Sequence, residues 1–204
     1  MKVLLLNGSP HPTGNTYLAL DEVSKTLEAE GIDSELFQIG NKPVRGCIAC
    51  AKCREIGQCV FNDDICNTMV NIMRSCDALV VGTPVYYGQP NGALLALLQR
   101  MLFSGTTAFA GKPAAGVAVC RRGGATAALQ SLIMPFQMLN MPVVTSQYWN
   151  IVYGREQGQA ALDTEGMQTM RAMARNMAYL LKQTHGGPVS VPEREPWQPM
   201  HFIR

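Results

Sequence analysis

Short runs of apolar and β-branched residues alternate along the chain with longer segments in which apolar positions recur every three or four residues. The short runs predict five strands, at residues 2–6, 34–38, 78–82 and 114–119 and from about residue 142. The longer segments predict helices, after residue 15 and at 64–74, 92–103, 125–139 and 164–183. Strands and helices that alternate in this order are typical of βαβ units built around a parallel sheet.

The order of these elements predicts an α/β fold with a doubly wound, five-stranded parallel sheet. Because parallel crossovers are nearly always right-handed, the expected strand order is 2-1-3-4-5, with helices on both faces. A ligand of such a sheet binds beyond the carboxyl ends of its strands, here the first, third and fourth. We expect one domain over residues 1–185, with a cysteine-rich loop at 46–63 inserted after the second strand, and a Pro-rich C-terminal tail at 186–204.

The charge of the chain is nearly balanced, since 17 basic and 15 acidic residues give a net charge of +2. With no run of like charge, the sequence disfavours a nucleic-acid or anionic membrane partner. The apolar run at 3–6 is followed by Asn7 and Gly8, which predicts no secretory signal. No stretch reaches the roughly 20 apolar residues that a membrane span needs. We therefore expect a cytoplasmic protein.

The loop after the first predicted strand, at residues 7–16, is rich in small and hydroxyl-bearing residues and runs into a helix. Ser9, Asn15 and Thr16, with free N–H groups and the positive end of that helix, predict a site for one anion such as a phosphate monoester. The loop has neither the lysine of a nucleoside-triphosphate loop nor the glycine spacing of a dinucleotide fingerprint, which disfavours ATP and a Rossmann-bound NAD. An ordinary turn with a capped helix is the alternative.

Two further loops leave the same edge of the predicted sheet. After the third strand, residues 82–90 contain two prolines and the neighbouring aromatics Tyr86 and Tyr87, where a flat ring can rest, although such tyrosines also serve as packing residues. After the fourth strand, residues 120–124 expose glycine N–H groups beside two arginines. These groups can bind a pyrimidine edge and stabilise negative charge on a reduced flavin; a flexible glycine turn is the alternative.

Seven cysteines, an odd number in a protein expected to be cytoplasmic, argue against a disulfide framework. Four of them form a compact motif, Cys47-x2-Cys50-x2-Cys53-x5-Cys59. A [4Fe-4S] cluster needs four converging thiolates, and two-residue spacers let a curling loop supply three of them. Zinc fits less well, because structural zinc sites usually pair two Cys-x2-Cys units across a longer insertion. An empty loop with free thiols is the other alternative. The remaining cysteines are expected to be small buried residues: Cys66, Cys76 and Cys120.

The chain resembles the flavodoxin-like NAD(P)H-dependent FMN reductases and, within them, the iron-sulfur flavoproteins. The resemblance runs from Gly-Ser-Pro-x-x-x-Gly-Asn-Thr at 8–16 through Thr-Pro-Val-Tyr at 83–86 to Asp-x-Glu-Gly at 163–166. It implies a flavodoxin-like fold whose FMN phosphate is bound by Ser9, His11, Gly14, Asn15 and Thr16. Around the flavin ring we expect Thr83, Pro84, Val85, Tyr86, Tyr87 and Gly88, with Arg121, Arg122, Gly123 and Gly124 at its polar edge. The cysteine spacing matches that of the iron-sulfur flavoproteins, in which Cys47, Cys50, Cys53 and Cys59 would hold the cluster.

The resemblance implies an FMN-dependent oxidoreductase that takes hydride from NAD(P)H, stacked on the flavin, and passes electrons to a flavin, a quinone-like compound or another acceptor. The flavin carries the chemistry, so no catalytic side chain is predicted. Two alternatives stay open: an FMN and [4Fe-4S] protein that relays electrons between partner proteins, and a thiol or metal-binding module without flavin. We expect a homodimer or homotetramer, with electrons crossing a subunit boundary because the cysteine loop follows an edge strand.

Overall fold

Strands and helices alternate through residues 1–185, the part of the chain that the computed structural model describes. The predicted Pro-rich tail at 186–204 lies outside the described residues. The strands are β1 (Lys2–Asn7), β2 (Asp33–Gln38), β3 (Ala78–Tyr86), β4 (Gln89–Pro90), β5 (Ala114–Cys120) and β6 (Ile151–Tyr153). The helices are α1 (Asn15–Ala29), α2 (Cys53–Ile56), α3 (Cys66–Arg74), α4 (Gly92–Ser104), α5 (Thr106–Phe109), α6 (Ala125–Met138) and α7 (Thr164–Thr184), with a 3-10 turn at Gln159–Leu162.

The long strands form a parallel sheet in the order β2-β1-β3-β5-β6, and the short β4 pairs antiparallel with the end of β3. Because β5 and β6 are the fourth and fifth strands of this parallel sheet, the predicted order 2-1-3-4-5 is confirmed. The register joins Val3 to both Ser34 and Ala78, and it joins Leu79 to Ala114. This pairing brings the carboxyl ends of β1, β3 and β5 to one edge of the sheet.

The central strands are buried on both faces, so their side chains divide between two cores. Val3 and Leu5 of β1 pack with α1 and α7, whereas Leu4 and Leu6 pack on the opposite face with α3 and α4. A stripe of methionines on α7 belongs to the first core: Met167, Met170, Met173 and Met177. Helices therefore cover both faces of the sheet, as predicted. Across residues 1–185, we find no helix with the length and apolar character that a membrane crossing requires.

The last strand of the sheet lies further along the chain than its predicted start near residue 142. Around that position the chain makes an isolated bridge, in which the Ala114 N–H donates to Pro142 O (2.9 Å) and the Val144 N–H donates to Ala114 O (2.8 Å). Pro142 has no N–H to extend the ladder, and the polar residues 145–150 follow. Pairing with β5 resumes at Ile151, so the predicted start of this strand was wrong.

Two smaller differences concern the start of α3 and the end of β3. α3 begins at Cys66 rather than at residue 64, because the Asp64 carboxylate accepts the N–H of Cys66 (3.1 Å) and stays outside the helix. β3 continues past its predicted end at residue 82 and turns into a hairpin with β4. A two-residue strand shows no alternation of apolar and polar positions, so this hairpin left no pattern in the sequence.

Candidate functional site

A cleft of about 480 Å³ opens beside the ends of β1, β3 and β5. Its lining comes from four segments, and three of them are the loops that the sequence predicted to meet at this edge. Those three contribute Ser9, His11, Pro12, Thr13, Gly14 and Asn15, then Pro84, Val85 and Tyr86, then Val119, Cys120 and Arg121. The fourth segment was not predicted and contributes Gly154, Arg155 and Gln157.

The loop at residues 7–16, which we call the anion loop, is held in shape by hydrogen bonds within it and to β3. Oδ1 of the buried Asn7 accepts the N–H of Ser9 (3.0 Å), and Ser9 Oγ accepts the N–H of His11 (3.1 Å). The Gly8 N–H donates to the carbonyl oxygen of Gly82 in β3 (2.8 Å). A Cβ on Gly8 would lie 2.8 Å from that oxygen, so the close approach requires glycine. The anion loop therefore has a defined shape before a ligand binds.

The helix that follows the anion loop presents backbone donors to the cleft. α1 begins with Gly14 as its N-cap, and within residues 1–185 no side chain caps this end. The first N–H groups of a helix have no partner inside it, and the helix dipole adds partial positive charge there. His11 and Thr13 line the cleft around this end, whereas Thr16 is buried outside the lining. Such an arrangement suits an anionic group.

The fourth lining segment belongs to residues 154–160, which we call the clasp segment because they are fastened to the anion loop. Asn15 Nδ2 donates to the carbonyl oxygen of Glu156 (2.9 Å), and Asn15 Oδ1 accepts the N–H of Ala160 (3.1 Å). A Cβ on Gly154 would lie 2.8 Å from the Ala160 nitrogen, so the close approach of these two residues within the clasp segment also requires glycine. The Asn15 side chain is committed to the clasp segment, which leaves its backbone N–H to meet an anion.

A second contact joins the clasp segment to the anion loop. Gln157 Nε2 donates to Thr13 Oγ1 (3.1 Å), and Arg155 belongs to the lining of the cleft. The segment follows β6, whose carboxyl end reaches the same edge as the other strands. Because the predicted start of that strand was misplaced, the residues after it were not predicted to line the cleft.

One wall of the cleft is apolar and comes from the end of β3. Pro84, Val85 and Tyr86 line this wall, and Tyr86 is 44% exposed. Burial raises the pKa of the Tyr86 phenol, so its hydroxyl is protonated at neutral pH. The neighbouring Tyr87 is fully exposed, has a φ of +50° and lies outside the lining. The two adjacent tyrosines therefore have different surroundings.

Two other residues predicted beside the ring shape the hairpin that carries Tyr86. Thr83 is buried, and its Oγ1 accepts the N–H of Asn91 (3.0 Å) and donates to the carbonyl oxygen of Pro84 (2.9 Å). Gly88 has a φ of +77° and turns the chain between β3 and β4. Both residues lie outside the lining of the cleft. Their places in the structure are those of hairpin residues.

The loop after β5 divides between the cleft and a neighbouring hollow. Cys120 and Arg121 line the cleft, and burial raises the pKa of the Cys120 thiol. Arg122, Gly123 and Gly124 instead line a hollow of about 270 Å³ on the other side of this loop. The further walls of that hollow include Tyr148, Trp149, Tyr153 and Glu165. Of the residues predicted at the polar edge of the ring, Arg121 alone lines the cleft.

The four clustered cysteines line a single hollow beside α4. All four are free thiols; Cys47 and Cys50 are exposed, and Cys53 and Cys59 are half-buried. Burial raises the pKa of the Cys53 thiol. All four thiols therefore belong to the lining of one hollow, and their role as cluster ligands stays a prediction.

The backbone of this loop curls through two alanines in the left-handed region, Ala49 (φ +54°) and Ala51 (φ +57°). That conformation is uncommon for a residue with a Cβ and clusters at functional sites. Among residues 1–185, no three His, Cys, Asp or Glu side chains are arranged to hold a metal ion. The match to a [4Fe-4S] cluster is therefore one of donor type and number, because four free thiols line one hollow.

The other cysteines are buried, as predicted: Cys66, Cys76 and Cys120. Burial raises the pKa of Cys66 to about 11. A thiol with so high a pKa is a weak nucleophile at neutral pH, because the thiolate is the reactive form. Cys66 therefore acts as a small apolar residue of the core around α3.

Comparisons with known proteins show the family and the fold of the chain. Residues 1–156 match the model of the NADPH-dependent FMN reductase family. An iron-sulfur flavoprotein of Methanocaldococcus jannaschii is 30% identical over 192 residues, which cover 89% of this chain and 98% of that protein. RosB, solved with bound 8-demethyl-8-formylriboflavin-5'-phosphate, superposes with a TM-score of 0.68 at 16% identity over 100% of this chain and 97% of its own. A flavodoxin from the domain Archaea gives a TM-score of 0.59 at 13% identity over 89% and 99%, so the fold is flavodoxin-like.

Proposed function

The chain belongs to the iron-sulfur flavoprotein branch of the NADPH-dependent FMN reductase family and is an FMN-dependent oxidoreductase, and we propose that it takes its electrons from NAD(P)H. The observation that carries the proposal is the cleft, where an uncapped helix end, an apolar wall and a charged loop face one volume. When bound, FMN supplies hydride uptake at its ring and the release of electrons singly or in pairs. The protein supplies binding, orientation and charge.

At the phosphate end of the cleft, the uncapped start of α1 provides backbone N–H donors and partial positive charge. We propose Ser9, His11, Gly14, Asn15 and Thr16 as the residues of this end. Arg155 adds a positive charge from the clasp segment. Because the anion loop is already held by its own hydrogen bonds, little conformational entropy is lost when it binds a phosphate.

At the ring end, Pro84, Val85 and Tyr86 offer an apolar surface on which a flat ring can lie. Arg121 brings a positive charge to the same volume, and such a charge stabilises the negative charge that a reduced flavin carries. We find no dinucleotide fingerprint in the sequence, which fits a nicotinamide that binds by stacking on the flavin rather than in a pocket of its own.

We further propose that Cys47, Cys50, Cys53 and Cys59 hold a [4Fe-4S] cluster, which when bound passes single electrons. Four free thiols that share one hollow support this proposal, as does the curled backbone between them. The M. jannaschii relative is named an iron-sulfur flavoprotein. The cluster would give electrons from the flavin a second outlet, toward a protein acceptor rather than a small molecule.

Anaerobic stopped-flow mixing tests the electron donor. Protein loaded with FMN is mixed with NADPH, and separately with NADH, while the flavin absorbance is followed. We expect bleaching at roughly 1–1,000 per second, the range of ordinary enzyme turnover, with one NAD(P)⁺ formed per flavin. Tyr179→Ala, an exposed position on α7, is the control and should bleach at the wild-type rate. Protein that binds FMN but is not bleached by either nucleotide would contradict the proposal.

A further inference from the structure

One arginine of α4 lies inside the fold, against the cysteine loop. Arg100 is 2% exposed, and its guanidinium reaches the hollow that the four thiols share. Nη1 donates to the Asp64 carboxylate and to the carbonyl oxygen of Arg45 (3.1 Å), and Nη2 donates to the carbonyl oxygen of Phe61 (3.5 Å). A single side chain therefore joins α4 to both ends of the loop.

The same guanidinium also faces a sulfur. Arg100 Nε and Nη2 both donate to Cys59 Sγ, at 3.4 and 3.2 Å. Within residues 1–185, Arg100 is the only side chain that hydrogen-bonds one of the four clustered thiols; the other bond to them comes from the Ala49 N–H, which donates to Cys47 Sγ (3.4 Å). Two donors on one sulfur restrict the orientation of the Cys59 side chain.

The charge of Arg100 acts at short range because solvent is excluded from it. Its side chain is 1% exposed and that of Asp64 is 4% exposed, so neither charge is screened by water. Arginine does not lose its proton in proteins, so the positive group beside the sulfur is permanent. A buried pair of this kind is weak evidence for stability, because desolvation offsets the attraction between its members. Stability therefore does not explain why the Arg100 guanidinium faces the sulfur of Cys59.

We propose that Arg100 is a positioning residue that fixes Cys59 as a cluster ligand and raises the reduction potential of the cluster. This inference rests on the proposed [4Fe-4S] site. On reduction, one electron arrives from the reduced flavin, no bond is made or broken, and the guanidinium keeps its protons. Hydrogen bonds and positive charge at a ligand sulfur favour the reduced, more negative state. Asp64 opposes this effect, because its carboxylate forms an ion pair with the same guanidinium and its negative charge offsets the positive charge of Arg100.

The test is a measurement of iron content and midpoint potential on full-length protein reconstituted anaerobically with iron, sulfide and FMN. We expect Arg100→Gln to shift the potential to lower values and Asp64→Asn to shift it to higher values. Arg100→Lys keeps the charge and should lie between wild type and Arg100→Gln. Arg171→Gln is the matched control, since Arg171 forms an ion pair with Glu22 of α1 on the other face of the sheet and should leave the potential unchanged.

A double variant covers the case in which a lone buried charge prevents folding. Arg100→Met combined with Asp64→Asn removes both charges and keeps the volume, a change that proteins often tolerate. We expect it to take up iron and to show a lower potential, because the bonds to sulfur are lost while the net charge of the pair is unchanged. Wild-type potentials in this variant and in Arg100→Gln would overturn the inference.

The remaining outcomes separate the inference from the proposed cluster. Wild-type protein that takes up no iron would overturn the cluster and this inference together. Iron uptake by wild type with unfolding of every Arg100 variant, judged by circular dichroism, would also overturn it, because the side chain would then have a structural role alone. Potential shifts of opposite sign in Arg100→Gln and Asp64→Asn support it, since a merely structural role gives no reason for the two signs to differ.

Discussion

Glycine allows separate stretches of backbone to meet around the cleft. A Cβ added at Gly8, Gly124 or Gly154 would lie 2.7 to 2.8 Å from a backbone atom of a residue elsewhere in the chain. Real Cβ atoms do not approach backbone this closely, so the backbone itself would have to move. The three contacts join the anion loop to β3, the β3–β4 hairpin to the loop after β5, and the two ends of the clasp segment to each other.

The first of these contacts gives a prediction about stability. Gly8→Ala should lower the free energy of unfolding by about 1–3 kcal/mol, since the added methyl meets the carbonyl oxygen of Gly82. Gly92→Ala is the control, because Gly92 lies at the start of α4 and its added Cβ meets no atom of another described segment within 4 Å. It should be neutral or stabilise by up to about 1 kcal/mol. Urea unfolding followed by circular dichroism measures both, and equal losses would contradict the argument.

The two adjacent tyrosines give a prediction about the ring end of the cleft. Tyr86→Ala should weaken FMN binding by about 1 kcal/mol, or about fivefold in Kd, because Tyr86 lines the cleft. Tyr87→Ala should weaken it less, because Tyr87 faces solvent. Quenching of FMN fluorescence during titration with apoprotein gives the two Kd values. A larger loss in Tyr87→Ala would show that the ring binds elsewhere.

At the scale of elements, the cleft depends on the clasp segment as well as on the sheet. Asn15 makes two hydrogen bonds to that segment, and each contributes about 1 kcal/mol. Asn15→Ala should therefore speed amide hydrogen exchange at residues 154–160 at least about tenfold in the absence of FMN. Ser24→Ala, which removes a hydroxyl from the same helix at its contact with Ser34, should leave these amides unchanged. Unchanged exchange in Asn15→Ala would mean that the segment is held by other contacts.

The apolar pattern of the sequence located the elements that are buried on both faces. β1, β3 and β5 are near-continuous apolar runs, so their carboxyl ends, and the three loops that follow them, were predictable. β6 has three residues, too few for a period, and its position depends on pairing with β5 across a long stretch of chain. The contribution of the clasp segment to the cleft therefore could not be predicted from the sequence. The division of residues 120–124 between two hollows depends on side-chain direction, which spacing does not determine.

At the scale of the whole molecule, the two proposed sites lie apart in the described part of the chain. The cleft lies at the carboxyl edge of the sheet, and the cysteine hollow lies beside α4 on the face covered by the second core. Among residues 1–185, none lines both of them. The predicted homodimer or homotetramer would let the flavin of one subunit face the cluster of another, and that assembly stays a prediction.

Subunit mixing tests this arrangement. Gly14→Asp, in which FMN binding is expected to be weakened, is combined at limiting FMN with a cluster-deficient variant in which Cys47 and Cys50 are changed to serine. The reduction of a one-electron acceptor by NAD(P)H is then followed. If electrons cross a subunit boundary, the mixture should be more active than its two components together. Sedimentation shows whether mixed oligomers form. Mixed oligomers without restored activity would mean that electrons stay within one chain.

Above all, we propose that the cleft binds a flavin through its phosphate at the start of α1. The measurement is the Kd of FMN and of riboflavin, which lacks the phosphate, for wild type, Gly14→Asp and Gly92→Asp. An aspartate at position 14 caps the helix and so preserves the fold, but it takes the N–H groups and repels the phosphate. Gly92→Asp places the same charge at the start of α4, outside the cleft lining.

We expect wild type to prefer FMN over riboflavin by about tenfold to a hundredfold, the value of charge-assisted hydrogen bonds worth roughly 1.5–3 kcal/mol. Gly14→Asp should lose that preference while binding riboflavin as before, and Gly92→Asp should keep it. Equal affinity of wild type for the two flavins, or an unchanged preference in Gly14→Asp, would contradict the account.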